Sequence, residues 1–199
     1  MSKPADSLLP HRPALILALL IAAYGIFILF AMGRPPICEC GVVRLWTGAV
    51  NSPENSQQLA DWYTFSHIIH GMIFYAGAHL LWRRWKLFGG APTRWAFPIA
   101  VALEASWELL ENSPMIIERY RSVTVNFGYA GDSIINSAAD IVWMSLGFLI
   151  AARLNWKATL ALAIGFEMMT LAVIHDNLTL NVLMLVYPLD AVRAWQGTV

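Results

Sequence analysis

Glu104, Glu108 and Glu111 stand at steps of four and three in the stretch EASWELLEN. On a helix those steps share one face. Two further sets repeat the pattern, with His67 and His70 at i, i+3 and Asp132, Asn136 and Asp140 at i, i+4, i+8. Imidazole nitrogens together with carboxylate oxygens are the donors of a divalent metal, and two histidines with one to three carboxylates suit Zn, Mn or Fe. The candidate ligands are His67, His70, Glu108, Glu111, Asp140 and His175, and the candidate catalytic groups are Glu108, Glu111, Asp132 and Asp140. The same groups also make a metal-free acid and base pair, a carboxylate exchanging protons with a neighbouring histidine.

Several of these residues have structural readings as well. Asp132, followed by Ser133, fits the N-cap of the next helix, where the dipole favours an anion. A single His70 or Asp140 fits a polar contact between membrane helices. Glu111 is different, because it falls in the last turn of its helix, where an anion is disfavoured and a cation, proton or metal has to compensate. His79 reads as a packing or interfacial histidine and His11 as part of the tail.

The elements that carry these residues read as membrane spans. Of the 199 residues 58% are hydrophobic and 13% charged, and the mean hydropathy is +0.55. That balance predicts an all-α, polytopic membrane helix bundle forming a single domain. Spans are expected at about 14–32, 62–82, 95–112, 132–152 and 156–175, with a short sixth at about 178–195 that alternatively lies along the interface. Five to six transmembrane helices follow. The first is expected to be retained rather than cleaved as a signal peptide. The lack of net charge and of any Gly-rich phosphate loop excludes a nucleic-acid or nucleotide role.

With a cytoplasmic N-terminus and six spans, the basic residues split nine to four. Lys3, Arg12, Arg83, Arg84, Lys86, Arg94, Arg153, Lys157 and Arg193 fall inside, while Arg34, Arg44, Arg119 and Arg121 fall outside, as the positive-inside rule requires. The long connections 33–61 and 113–131 are then external. Counting residues inward from the outer helix ends places His70, Glu104, Asp140 and Glu167 in one layer roughly 12 Å deep. His67, Glu108 and Asn136 lie above them, and Glu111, Asn112, Asp132, His175, Asp176 and Asn177 lie at the mouth. Four helices thus bring polar groups to one outward-facing pocket.

Two features of the first external connection stand apart. Cys38 and Cys40 in ICECG fit a structural disulfide, with a redox pair, a soft-metal site or an intermolecular bridge as alternatives. The stretch GAVNSPENSQQLADWYTF fits either a lid over the pocket or a solvated connection.

Signatures of known membrane catalysts are missing: there is no His-Glu-x-x-His, no Gly-x-Ser-x-Gly and no set of histidine boxes. The segments DWYTFSHIIHG, WELLENSP and GYAGDSIINSAAD resemble an uncharacterised family of small multi-pass bacterial membrane proteins, found chiefly in alphaproteobacteria. The resemblance covers nearly the whole chain and implies an inner-membrane location, with no catalytic assignment to carry over. The residues themselves support a metal-assisted hydrolase or transferase acting on a lipid or lipid-linked envelope substrate, with membrane lipids as partners. The alternatives are a proton-coupled carrier using Glu104, Asp140 and Glu167, and a non-catalytic assembly factor.

Overall fold

The structure, a computed structural model, describes residues 8–123 and 129–197. Lys3, used in the charge count, lies outside the described residues. Among the described residues eight α-helices run in the order α1 (Arg12–Ala31), α2 (Thr64–Ala78), α3 (Ala96–Glu111), α4 (Pro114–Val123), α5 (Ile134–Arg153), α6 (Trp156–Ile174), α7 (Leu178–Val186) and α8 (Asp190–Gln196). Among the described residues there is no strand.

Three of these helices, α1, α5 and α6, are long and apolar enough to cross a membrane, fewer than the five to six expected. The shortfall has local causes. α2 is α-helical for 15 residues and then continues as a π-helix over His79–Arg84, and α3 has 16 residues after a 3-10 stretch that contains Pro92. The segment read as a sixth span is two short helices broken at Tyr187–Leu189 around Pro188. Nine residues of α7 rise about 13 Å, under half of a hydrocarbon core. The Gln196 amide in α8 then donates to Asp176 Oδ1 at 3.1 Å, so the chain returns to the level at which it left α6.

Capping side chains explain where several helices start. His11 Nδ1, Ser133 Oγ, Asn155 Oδ1 and Asn177 Oδ1 each accept a backbone N–H from the first turn of α1, α5, α6 and α7. Ser133, not Asp132, is therefore the cap of α5.

Small residues let the central helices approach closely. A Cβ added at Gly71 of α2 would stand 1.9 Å from the Met144 carbonyl oxygen, and one added at Gly147 of α5 would stand 1.9 Å from the Ile68 carbonyl oxygen. The two backbones are thus in direct contact, an approach typical of helices packed through small residues. Ala105 of α3 similarly approaches Gly25 of α1. The apolar core around Phe97, Val101, Met144 and Phe148 closes beneath the polar residues.

The connection 33–63 is pinned on the start of α5 rather than left as a solvated connection. Ser133 Oγ donates to the Gln57 carbonyl at 3.0 Å, Asn136 Nδ2 to the Gln58 carbonyl at 2.8 Å and Trp143 Nε1 to the Leu59 carbonyl at 2.9 Å. Gln58 is fully buried and also receives the Arg44 N–H. Cys38 and Cys40 are joined by a disulfide at the edge of this wall, and Gln58 Nε2 lies 3.7 Å from the Cys40 sulfur. The second connection holds α4, which was expected to be loop. Its buried Ile117, Tyr120 and Val123 recur every third residue, a helical stripe in a segment that starts with Pro at N1.

Candidate functional site

Glu104 is the centre of the polar cluster. It is completely buried, and its two oxygens hold both histidines of α2: Oε1 lies 2.6 Å from His67 Nδ1, and Oε2 lies 3.1 Å from His70 Nδ1. One helical turn further along α3, Glu108 is 1% exposed, and neither of its oxygens has a hydrogen-bond partner. Its Oε1 lies 3.7 Å from His67 Nδ1, while His67 Nε2 lies 3.7 Å from Asp140 Oδ2 across the α2–α5 contact. Two groupings bring donors close enough to share one ion: His67, His70 and Glu104, and His67, Glu108 and Asp140.

A buried carboxylate with no donor is costly, several kcal/mol for an ion even after relaxation. Glu108 therefore requires a cation or a proton. The two groupings differ in what they offer. In the first, both carboxylate oxygens already receive ring nitrogens. In the second, the acceptors are spare. A carboxylate that holds the far nitrogen of a metal-binding histidine sets its tautomer and orientation. Glu104 holds Nδ1 of His67 in the same manner, leaving Nε2 turned toward Asp140.

The mouth of the site is built differently. Asn112, at the end of α3, donates to Asp132 Oδ2 at 2.8 Å and accepts the Asp132 N–H at 2.7 Å, and Tyr129 donates its hydroxyl to Asp132 Oδ1 at 2.9 Å. Asp132 is thus fully engaged in tying α3 to the start of α5. Burial, reinforced by the Asp132 charge, raises the Tyr129 phenol well above its usual range, so it stays a donor. Asp61 accepts the Ser56 and Tyr63 N–H groups and closes the turn into α2; burial raises its carboxyl despite those bonds. Glu111 is half-buried and bonded to Tyr120.

Two residues expected in the cluster are not brought to it. Glu167 turns toward α7, where its carboxylate accepts the backbone N–H groups of Leu178 and Thr179 at 2.9 and 3.1 Å. That is a carboxylate at the positive end of a helix, a structural role. His175 adopts a left-handed backbone at the end of α6 and stacks its ring on Trp195, 4.3 Å between centroids, and it falls outside both ligand groupings. Neighbouring Asp176 accepts from Tyr63 and Gln196, and its carboxyl is pushed up to about 6 by burial.

These groups face a cavity of about 360 Å³. His67, His70, Glu104, Glu111, Asp132 and Asp140 supply its polar lining, and Phe74, Leu103, Trp107, Leu178 and Val182 its apolar lining, with Phe74 stacked on His70 at 5.9 Å between ring centroids. The connection before α2 contributes Asn55, Ser56 and Asp61 to the lining. Of these wall residues Asn55, Tyr129 and Trp107 were not singled out from the sequence. Asp61 had a local signal, since Asp at position one and Thr at position four ahead of a helix close such a turn.

Residues 29–198 match the family model described as "Protein of unknown function (DUF2585)". The chain is 57% identical over 197 residues to a UPF0314 protein of Novosphingobium aromaticivorans, covering 99% of both sequences. It is 54% identical to a UPF0314 protein of Sphingopyxis alaskensis, covering 92% of this chain and 94% of that one. To a UPF0314 protein of Agrobacterium fabrum it is 57% identical, covering 86% of this chain and 84% of the relative. No solved structure matches. With the family model spanning most of its length and relatives of more than half identity along nearly all of it, the chain belongs to the DUF2585 family of proteins of unknown function.

Proposed function

We propose that the chain is an integral inner-membrane enzyme that uses one divalent cation to hydrolyse or transfer a group of a lipid or lipid-linked envelope substrate. The observation that carries the reading is Glu108, buried with both oxygens unpartnered beside His67 and Asp140. His67, Glu108 and Asp140 hold the ion, which suits Zn, Mn or Fe. Glu104 orients His67 and His70. When bound, the ion supplies a Lewis acid at the scissile group. Glu111 then accepts and returns a proton, because it lines the cavity while Asp132 is committed to Asn112 and Tyr129. The apolar side of the cavity supports a chain-bearing substrate. A carrier with a proton path through Glu167 is less well supported, since that residue caps α7.

Incubating nanodisc-embedded protein with envelope lipids of its host, followed by mass spectrometry, tests the reading. One lipid species should disappear in a reaction stopped by a chelator and missing from His67→Ala. Identical lipid profiles for wild type and His67→Ala, with metal supplied, would sink it.

The same reading implies a topology. With a cytoplasmic N-terminus and five crossings, α1, α2, α3, α5 and α6, the α7–α8 hairpin stays external, held by Gln196 on Asp176 and by Arg119 on the Leu185 carbonyl. Reporters after Lys86 and Arg121 should read cytoplasmic and external, and one after Val199 should read external. A cytoplasmic reading at the C-terminus would require α7 and α8 to cross, against the observed break.

A further inference from the structure

The cavity lining combines acids with apolar side chains, and that chemistry restricts what fits. No Lys or Arg is among the described residues that line it. Three arginines bonded to lining residues or adjacent to one in the chain donate to backbone carbonyls: Arg34 Nε to the Asp132 oxygen at 3.0 Å, Arg119 to Leu185 and Arg121 to Tyr129. The acids outnumber any cation the site could supply. A divalent ion on His67, Glu108 and Asp140 is matched in charge by those two carboxylates, which leaves Glu104, Glu111, Asp132 and Asp61 along the wall. A phosphate or carboxylate head would lose its water among like charges.

An independent observation lies on the connection before α2. Asn55 is 6% exposed, lines the cavity, and its Nδ2 has no hydrogen-bond partner. A buried amide of this kind is open to an acceptor oxygen entering the cavity. Elsewhere in the lining, Phe74, Trp107 and Leu178 offer nothing polar except the indole N–H. Leu103 and Val182 line the cavity while remaining 51% and 47% exposed, so they form its rim at mid-helix height. At about 360 Å³ the space accepts a small head and the start of a chain, with the remainder passing over that rim.

We infer that the site takes an amphiphile with an alkyl or isoprenoid chain and a non-anionic, donor-rich head, hydroxyl or ammonium, placed between Asn55 and the carboxylates. This rests on the lipid-substrate reading above and adds the head-group class. Hydroxyl groups donate to the carboxylates and accept from Asn55; an ammonium group donates and adds opposite charge.

The test uses three probes with one chain: dodecyl glucoside, dodecylamine and dodecyl phosphate, titrated calorimetrically into full-length protein in phosphatidylcholine nanodiscs, with empty nanodiscs as blank. The glucoside, the amine or both should bind at least ten-fold more tightly than the phosphate; which of them does so distinguishes a hydroxyl from an ammonium head. Leu103→Trp and Val182→Trp, at exposed rim positions, should each weaken that binding at least ten-fold while bound metal stays unchanged. Phosphate binding equal to or tighter than both other probes would overturn the inference, as would binding insensitive to both rim variants. Repeating the titration after chelation separates the two readings, because the head preference comes from the protein's own acids and persists if the metal assignment fails.

Discussion

Glu108→Gln is expected to abolish metal binding and, in the same protein, to raise the stability of the metal-free fold. Both effects follow from one fact: the carboxylate is buried and receives no donor. On the proposed reading it is a ligand in the loaded protein, and its loss should weaken the ion at least about 100-fold, beyond the usual cost of losing an outer-shell partner. In the metal-free protein it must take up a proton or stay buried without a donor, and an amide, which needs no proton and can donate to its neighbours, lifts that cost, on the order of 1–3 kcal/mol. His67→Ala should match the metal loss, and the double variant should add little, because members of one site act as a unit. Thermal unfolding in detergent, before and after chelation, separates the two terms. A variant that keeps its metal, or is less stable than wild type after chelation, would remove Glu108 from the ligand set.

Gly147→Ala and Gly71→Ala should each be close to fold-breaking. The new methyl would meet a backbone carbonyl at 1.9 Å, and backbone atoms, unlike the end of a flexible side chain, cannot step aside without separating α2 from α5. Overpacking ordinarily costs about 1–3 kcal/mol, and here the cost should exceed about 4 kcal/mol. The site should fall with the fold, since His67 lies on α2 and Asp140 on α5. Gly165→Ala is the control. Nothing stands within 4 Å of its added Cβ, so α6 should gain about 0.5–1 kcal/mol of helix preference. Chemical denaturation in detergent would measure all three, and near-wild-type stability for either interface variant would contradict the close crossing.

Helical spacing and depth suffice to bring His67, His70, Glu104, Glu108 and Asp140 toward one another, because three neighbouring helices each present a single polar stripe. Depth gives height and not direction around the axis, which is why Glu167 shares the predicted layer yet faces α7. His175 fails for a related reason: a left-handed residue ends α6 and sends its ring to Trp195, a turn that no periodicity reports. The long connections were the least legible. Gln57, Gln58 and Leu59 look like solvated loop by composition, but their carbonyls serve as acceptors for Ser133, Asn136 and Trp143, a pairing visible only once α5 is in place. Pro188 did mark the break that stops the last segment from crossing.

Elemental analysis of the wild-type chain, purified without chelators from metal-supplemented cells, tests the central claim most directly. About one Zn, Mn or Fe per chain is expected, lost in His67→Ala, Glu108→Gln and Asp140→Asn and kept in His79→Ala, whose ring lies in the π-helical turn away from both ligand groupings. Wild-type protein that carries no stoichiometric metal and takes up none on titration, or ligand variants that retain it fully, would contradict the account.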